Sequence, residues 1–140
     1  MGQIDFFSSS HFGAGLLYIA HTLLELVLGA VKLRGRYSAV STPPGAERFV
    51  RHHGVSLLSL ALLGGLVYAK RLVHTPLGSA TSTVLAFFHT GAVLVMCHEW
   101  LQTGEGFNVA FTHTPFAIGF ALHATFGSRP YREQGGFRVD

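Results

Sequence analysis

Charge is scarce in this sequence. Of 140 residues, 10 are Lys or Arg and 7 are Asp or Glu, 12% in all, against about 25% in ordinary soluble domains. The scarcity is uneven as well, because residues 6–24, 52–69, 72–98 and 106–128 contain no Asp, Glu, Lys or Arg. A soluble four-helix bundle needs a charged face on every helix, and none of these stretches supplies one. Cysteine is nearly absent too. The lone Cys97 excludes an internal disulfide, and inside an apolar stretch it reads as a small filler rather than a reactive thiol. Also missing are a Walker loop, a Rossmann glycine pattern, an EF-hand loop and the order of a Ser-His-Asp triad, which disfavours soluble-type nucleotide or calcium chemistry. The N-terminal MGQIDFFSSSHFG has no basic residue, which argues against a cleaved secretory signal or an Arg-rich transit peptide. Phe6 stands where the myristoylation pattern requires Ser or Thr.

What is there fits a membrane. Each charge-free stretch is near the roughly 20 residues that a spanning helix needs. The expected fold is all-α, an integral membrane four-helix bundle with four transmembrane spans running antiparallel, up and down. Its boundaries are read as about 13–33, 49–73, 78–101 and 107–126 in one membrane domain covering residues 1–140, with a polar tail over 127–140. Ser8, Ser9 and Ser10 are possible N-caps, and Phe6, Phe7 and Phe12 suit a membrane interface. Pro43, Pro44 and Gly45 end any helical continuation in the longest polar connection, and Pro115 is expected to kink the last span by releasing the carbonyl of Phe111.

Faces follow from helical spacing. Tyr18, His21, Glu25, Leu28 and Lys32 share one face of the first span. In the second, Gly54, Ala61 and Gly65 form a small-residue packing stripe, opposite His52, Ser56, Ser59 and Leu63. Ser82, Ala86, His89, Val93, Met96 and Trp100 are expected to look inward from the third, and Thr112, Phe116, Gly119 and His123 share a stripe on the fourth. Basic residues flank the spans five against five, so orientation is open, although the denser set between the first two spans leans toward the cytoplasm or matrix. Their placement suits anionic lipid rather than nucleic acid. The expected partners are the lipid bilayer and a membrane-protein partner or second copy of the chain.

The chemistry falls to the histidines, nine against seven acidic residues. An ionisable group in mid-membrane faces the bundle interior and marks function by default, which singles out Glu25 with His21 one turn before it. Antiparallel threading at 1.5 Å per residue brings His21, His89 and His123 to converging depths, with His113 in the same half as Glu25. His11, His52, His53, His74, His98 and Glu99 lie near helix ends, where histidine is ordinary. Three readings stand together. His21, His89 and His123 could bind a haem, a transition metal or a lipid-soluble ligand, although no His-x-x-His or HExxH spacing assigns a metal. Glu25, His21 and His89 could act as acid and base on a hydrophobic substrate of sterol, quinone or polyketide type. Alternatively the chain is an accessory or assembly subunit, its polar groups bonded to each other or to a partner's helices.

Overall fold

The computed structural model describes residues 6–35 and 45–127, with side chains from Gly13 onward. The Pro43–Pro44 turn, His11, the interfacial placement of Phe6, Phe7 and Phe12, and the polar tail beyond residue 127 lie outside the described residues or side chains. Four helices are described: α1 (Phe6–Lys32), α2 (Glu47–Ala69), α3 (Pro76–Thr103) and α4 (Phe107–Phe126). Helix α1 begins seven residues before the expected Gly13, since nothing between Phe6 and Phe12 breaks a helix. It therefore runs through Ser8–Ser10 and is not capped by them.

Helix α2 ends at Ala69, short of the expected Val73, and the chain itself shows why. Arg71 adopts a left-handed conformation with φ 56°. Its N–H donates to the Tyr68 carbonyl at 2.9 Å, and the Leu72 N–H reaches back to Val67, also at 2.9 Å. That pair of bonds is a Schellman stop, here with Arg where glycine is usual. Three residues later Thr75 caps α3, its hydroxyl accepting from the Gly78 N–H at 3.3 Å, with Pro76 at the first helical position, where a missing N–H is harmless. The turn between α3 and α4 uses two left-handed glycines, Gly104 (φ 77°) and Gly106 (φ 97°). At Gly106 a Cβ would lie 3.0 Å from the Met96 carbonyl.

The helices pair as two hairpins, α1 with α2 and α3 with α4, and the hairpins meet more sparingly along α1–α4 and α2–α3. Helices α1 and α3 are therefore diagonal, and they meet across the axis through side chains, one of which, Tyr18, reaches the α3 backbone at Gly78. Small residues set the close approaches. A Cβ on Gly54 would lie 2.9 Å from the Gly29 carbonyl and one on Gly29 would lie 3.0 Å from the Gly54 carbonyl, so α1 and α2 cross backbone to backbone. Between α1 and α4 the gap at Gly119 is filled by Leu17, 2.9 Å from where a Cβ would stand. The packing face of α2 is Val50, Gly54, Leu57, Ala61, Gly64 and Val67, as expected for Gly54 and Ala61. Gly65, expected on the same stripe, is half-buried at the edge against Thr22.

Two inner faces differ from expectation. On α3 the buried set is Gly78, Thr81, Ser82, Leu85 and His89. The face does not continue to Trp100, which is 44% exposed and packs beside Phe107 with ring centroids 5.3 Å apart. On α4 the buried set is Ala110, His113, Phe120 and His123; Thr112 lies outside it, its hydroxyl returned to the Asn108 carbonyl at 2.8 Å.

The outer surface is strongly apolar, with Phe87, Phe126, Phe49 and Leu101 all at least 74% exposed. An apolar surface of that extent marks a membrane or protein contact. Three helical segments among the described residues, Gly13–Lys32, Glu47–Ala69 and Pro76–Thr103, are long and apolar enough to cross a membrane. Helix α4 is the exception, consistent with the polar side chains of Asn108, Thr112, His113, Thr114 and His123 along it.

The Gly29–Gly54 crossing gives a direct test of the packing. Gly54→Ala must separate two backbones and is expected to destabilise the fold by about 1–3 kcal/mol. Thermal unfolding in detergent checks this, and an unchanged midpoint would mean that the two helices do not cross at these glycines.

Candidate functional site

Polar side chains enter the bundle in two layers, divided by Phe120. The outer layer begins at Tyr18, fully buried on α1. Its hydroxyl donates to the Gly78 carbonyl at 2.9 Å and meets Ser82 Oγ at 2.8 Å. Ser82 Oγ in turn lies 2.7 Å from His123 Nδ1, so one chain of hydrogen bonds links α1, α3 and α4. His74 closes this end, its Nδ1 3.3 Å from the Gly127 carbonyl and its ring 5.9 Å from that of His123. Every link is of ordinary hydrogen-bond length, which is how buried polar groups are usually satisfied.

The inner layer is built differently. His21 and Glu25, four residues apart on α1, and His89 on α3 expose none of their surface. Glu25 Oε1 lies 3.8 Å from His21 Nε2 and 3.9 Å from His89 Nε2, beyond hydrogen-bond reach in both cases. Among the described residues, neither carboxylate oxygen of Glu25, neither ring nitrogen of His21, nor Nε2 of His89 has a hydrogen-bond partner. One ligand atom from each of the three residues can be chosen so that all lie within 4.8 Å of one another. The rings of His21 and His89 meet edge to face with centroids 5.0 Å apart.

Aromatic rings close the layer. Phe116 stacks on His89 with centroids 5.2 Å apart, and the Phe120 centroid lies 5.1 Å from that of His21, edge on. On the α2 side Gly64 lets the helices close, since a Cβ there would lie 3.3 Å from His21 Nδ1. A shallow apolar groove of about 360 Å³ runs outside this layer between α1 and α2, lined by Thr22, Leu26, Leu58 and Leu62 among others, and does not include His21, Glu25 or His89.

The structure thus brings together His21, Glu25 and His89 and places His123 elsewhere. His123, expected to converge with His21 and His89, lies instead with Tyr18 and Ser82, its Nδ1 2.7 Å from Ser82 Oγ. The residue that sequence reasoning left aside is His113. Its Nδ1 lies 2.7 Å from His89 Nδ1, so the inner layer holds three histidines and one carboxyl. A signal for it was present, because His113, Phe120 and His123 share a helical face once the self-bonded Thr112 is set aside.

Ligand atoms about 2.0–2.1 Å from one tetrahedral metal lie about 3.3–3.4 Å apart. The Glu25–His21 and Glu25–His89 separations, 3.8 and 3.9 Å, exceed this by about half an ångström, and all three ligand atoms lie within 4.8 Å of one another, so the rings would have to draw together to close on an ion. His21, Glu25 and His89 could therefore hold a metal ion. No protein-family model, curated protein or solved structure matches this chain, so the chemistry rests on these residues.

The outer layer supplies the stability test. Tyr18→Phe keeps the ring, whose centroid lies 5.3 Å from that of Phe120, but removes the hydroxyl from between Gly78 and Ser82. The loss is expected to be about 1–3 kcal/mol, the cost of leaving buried polar groups unpaired. It is read as a lower thermal midpoint in detergent; an unchanged midpoint would show that the layer adds nothing to the fold.

Proposed function

We propose that the chain is a small integral membrane protein, an up-and-down bundle of four spans, that binds a divalent transition-metal ion between His21, Glu25 and His89. The observation that carries the reading is the concentration of unpartnered polar atoms at one fully buried point. Buried polar groups are normally bonded, and an uncompensated buried carboxylate costs several kcal/mol. Two imidazole nitrogens and a carboxylate oxygen converging from diagonal helices are acceptors that a cation satisfies together. The donor set selects the ion. Imidazole suits Zn, Fe, Cu and Ni, whereas Ca²⁺ and Mg²⁺ prefer all-oxygen surroundings. Facing helices of a bundle are a common place for such sites.

The other readings draw less support. A porphyrin between His21 and His89 would have to displace Glu25, Phe116 and Phe120, so the packing favours a single ion over a haem. Acid–base catalysis needs a route for substrate to Glu25, and none of the surface of Glu25, His21 or His89 is exposed. In a purely structural subunit these groups would bond to each other or to a partner's helices; their separations of 3.8 and 3.9 Å are too long for the first, and their full burial leaves no surface for the second. Membrane insertion is supported by the three long apolar segments and by the apolar outer surface. Helix α4 is included as the fourth span because it is 20 residues long, carries no Asp, Glu, Lys or Arg, and packs against α3 over much of its length.

Two measurements test this reading. The protein should stay in membranes washed with alkaline carbonate; release into the wash would contradict a spanning bundle. Detergent-purified protein should bind Zn²⁺ or Co²⁺ stoichiometrically. Binding should be lost in His21→Ala and His89→Ala and weakened in Glu25→Gln, with all three variants still inserted. Equal binding by the parent and all three variants would remove the site from these residues.

A further inference from the structure

His89 differs from His21 in one respect. Both nitrogens of His21 lack hydrogen-bond partners, but only Nε2 of His89 does, because its Nδ1 is held 2.7 Å from Nδ1 of His113. A contact that short between two imidazole nitrogens needs one proton between them, carried by one ring and accepted by the other. Phe88 helps to fix the geometry from the side, its ring centroid 5.2 Å from that of His89 and 6.3 Å from that of His113. Resting on the metal reading above, we infer that His113 is a positioning residue: it sets which nitrogen of His89 bears the proton and thereby aims a free Nε2 lone pair at the metal position beside Glu25.

The proton count closes for neutral rings. With the shared proton on His113 Nδ1, His89 carries its own proton on Nε2, facing Glu25 Oε1, and His113 Nε2 is free. With the shared proton on His89 Nδ1, His89 Nε2 is free to bind a cation and His113 carries its proton on Nε2. Passing from the first state to the second moves one proton from His113 Nδ1 to His89 Nδ1. The proton leaving His89 Nε2 goes to the Glu25 carboxylate that faces it, and His113 Nε2, on the partly exposed ring, takes one from water, so the pair carries two protons and no net charge in each end state. His113, 8% exposed where His89 is fully buried, is the outer member of the pair. The arrangement matches a general feature of metal sites, in which a ligating histidine donates its second N–H to an outer acceptor that fixes its tautomer. Here that acceptor is a second histidine, which permits both states.

The test uses full-length protein in detergent with isotopically labelled histidine and Zn²⁺ as the probe. Nitrogen NMR should show His89 protonated at Nδ1 in the Zn²⁺-loaded parent. His113→Leu, which cannot accept, should bind Zn²⁺ roughly 10–100-fold more weakly, the usual loss on removing such an acceptor. His113→Asn, whose amide oxygen can take the place of Nδ1, should recover most of that loss and restore the Nδ1–H form of His89. Unchanged affinity in His113→Leu would overturn the inference, as would an Asn variant no better than Leu. If the Leu variant fails to fold, the Asn variant decides alone: retained affinity with His89 protonated at Nδ1 supports the assignment, and His89 protonated at Nε2 refutes it. If the parent binds no Zn²⁺, the metal reading falls separately. The pairing is then judged on metal-free spectra, where identical His89 nitrogen shifts in the parent and in His113→Leu would overturn it or, if the Leu variant does not fold, His89 protonated at Nε2 in His113→Asn.

Discussion

The constraint on which the rest of this molecule turns is a buried carboxyl with no hydrogen-bond partner among the described residues. Glu25 sits on the axis of the bundle between His21 and His89, too far from either for a hydrogen bond, and with no exposed surface. In an apolar interior such a group is among the most expensive a protein can carry. The nearest groups around it are imidazole nitrogens, which can bind a cation and stand too far from the carboxylate to hydrogen-bond to it. The bundle is arranged so that these atoms come from both hairpins, His21 and Glu25 from α1 and His89 from α3. An ion held there would join two units that otherwise touch sparingly.

Packing around that point follows from it. Gly29, Gly54 and Gly64 let α2 close on α1, and Gly119 lets α4 close on Leu17, so large side chains are left to fill the axis. Phe116 and Phe120 then separate a polar layer linked by hydrogen bonds, Tyr18–Ser82–His123, in which only His123 Nε2 lacks a partner, from the inner one, where five atoms do. Both layers hold histidine, but only the inner one concentrates unpartnered atoms. The bonded layer reads as architecture and the unbonded one as a site.

Much of this was legible in the sequence. Charge-free stretches bounded by Gly, Pro and basic residues located all four helices, and the 3.6-residue period put Tyr18, His21 and Glu25 on one face. Depth along antiparallel helices brought His89 to that face. What was less legible involved interactions between side chains of different helices. His123 has a suitable depth for the site, yet the bond from Ser82 and the bulk of Phe120 hold it in the other layer. His113 differs from His89 by several residues of depth, and two imidazole rings reaching toward each other cover that difference. Helix ends moved for local reasons: an arginine in a left-handed stop shortened α2, and the absence of a breaker lengthened α1. Trp100 was placed inward by spacing alone, whereas α3 has left the core by that point and its ring sits with Phe107.

The most direct measurement is elemental analysis of the protein extracted gently from membranes and purified without chelator or added metal, alongside His89→Ala prepared identically. A stoichiometric transition metal in the parent and none in the variant is the result expected if Glu25, His21 and His89 form a metal centre. A parent protein free of metal that also takes up none on reconstitution, or a variant that retains the metal in full, would contradict it.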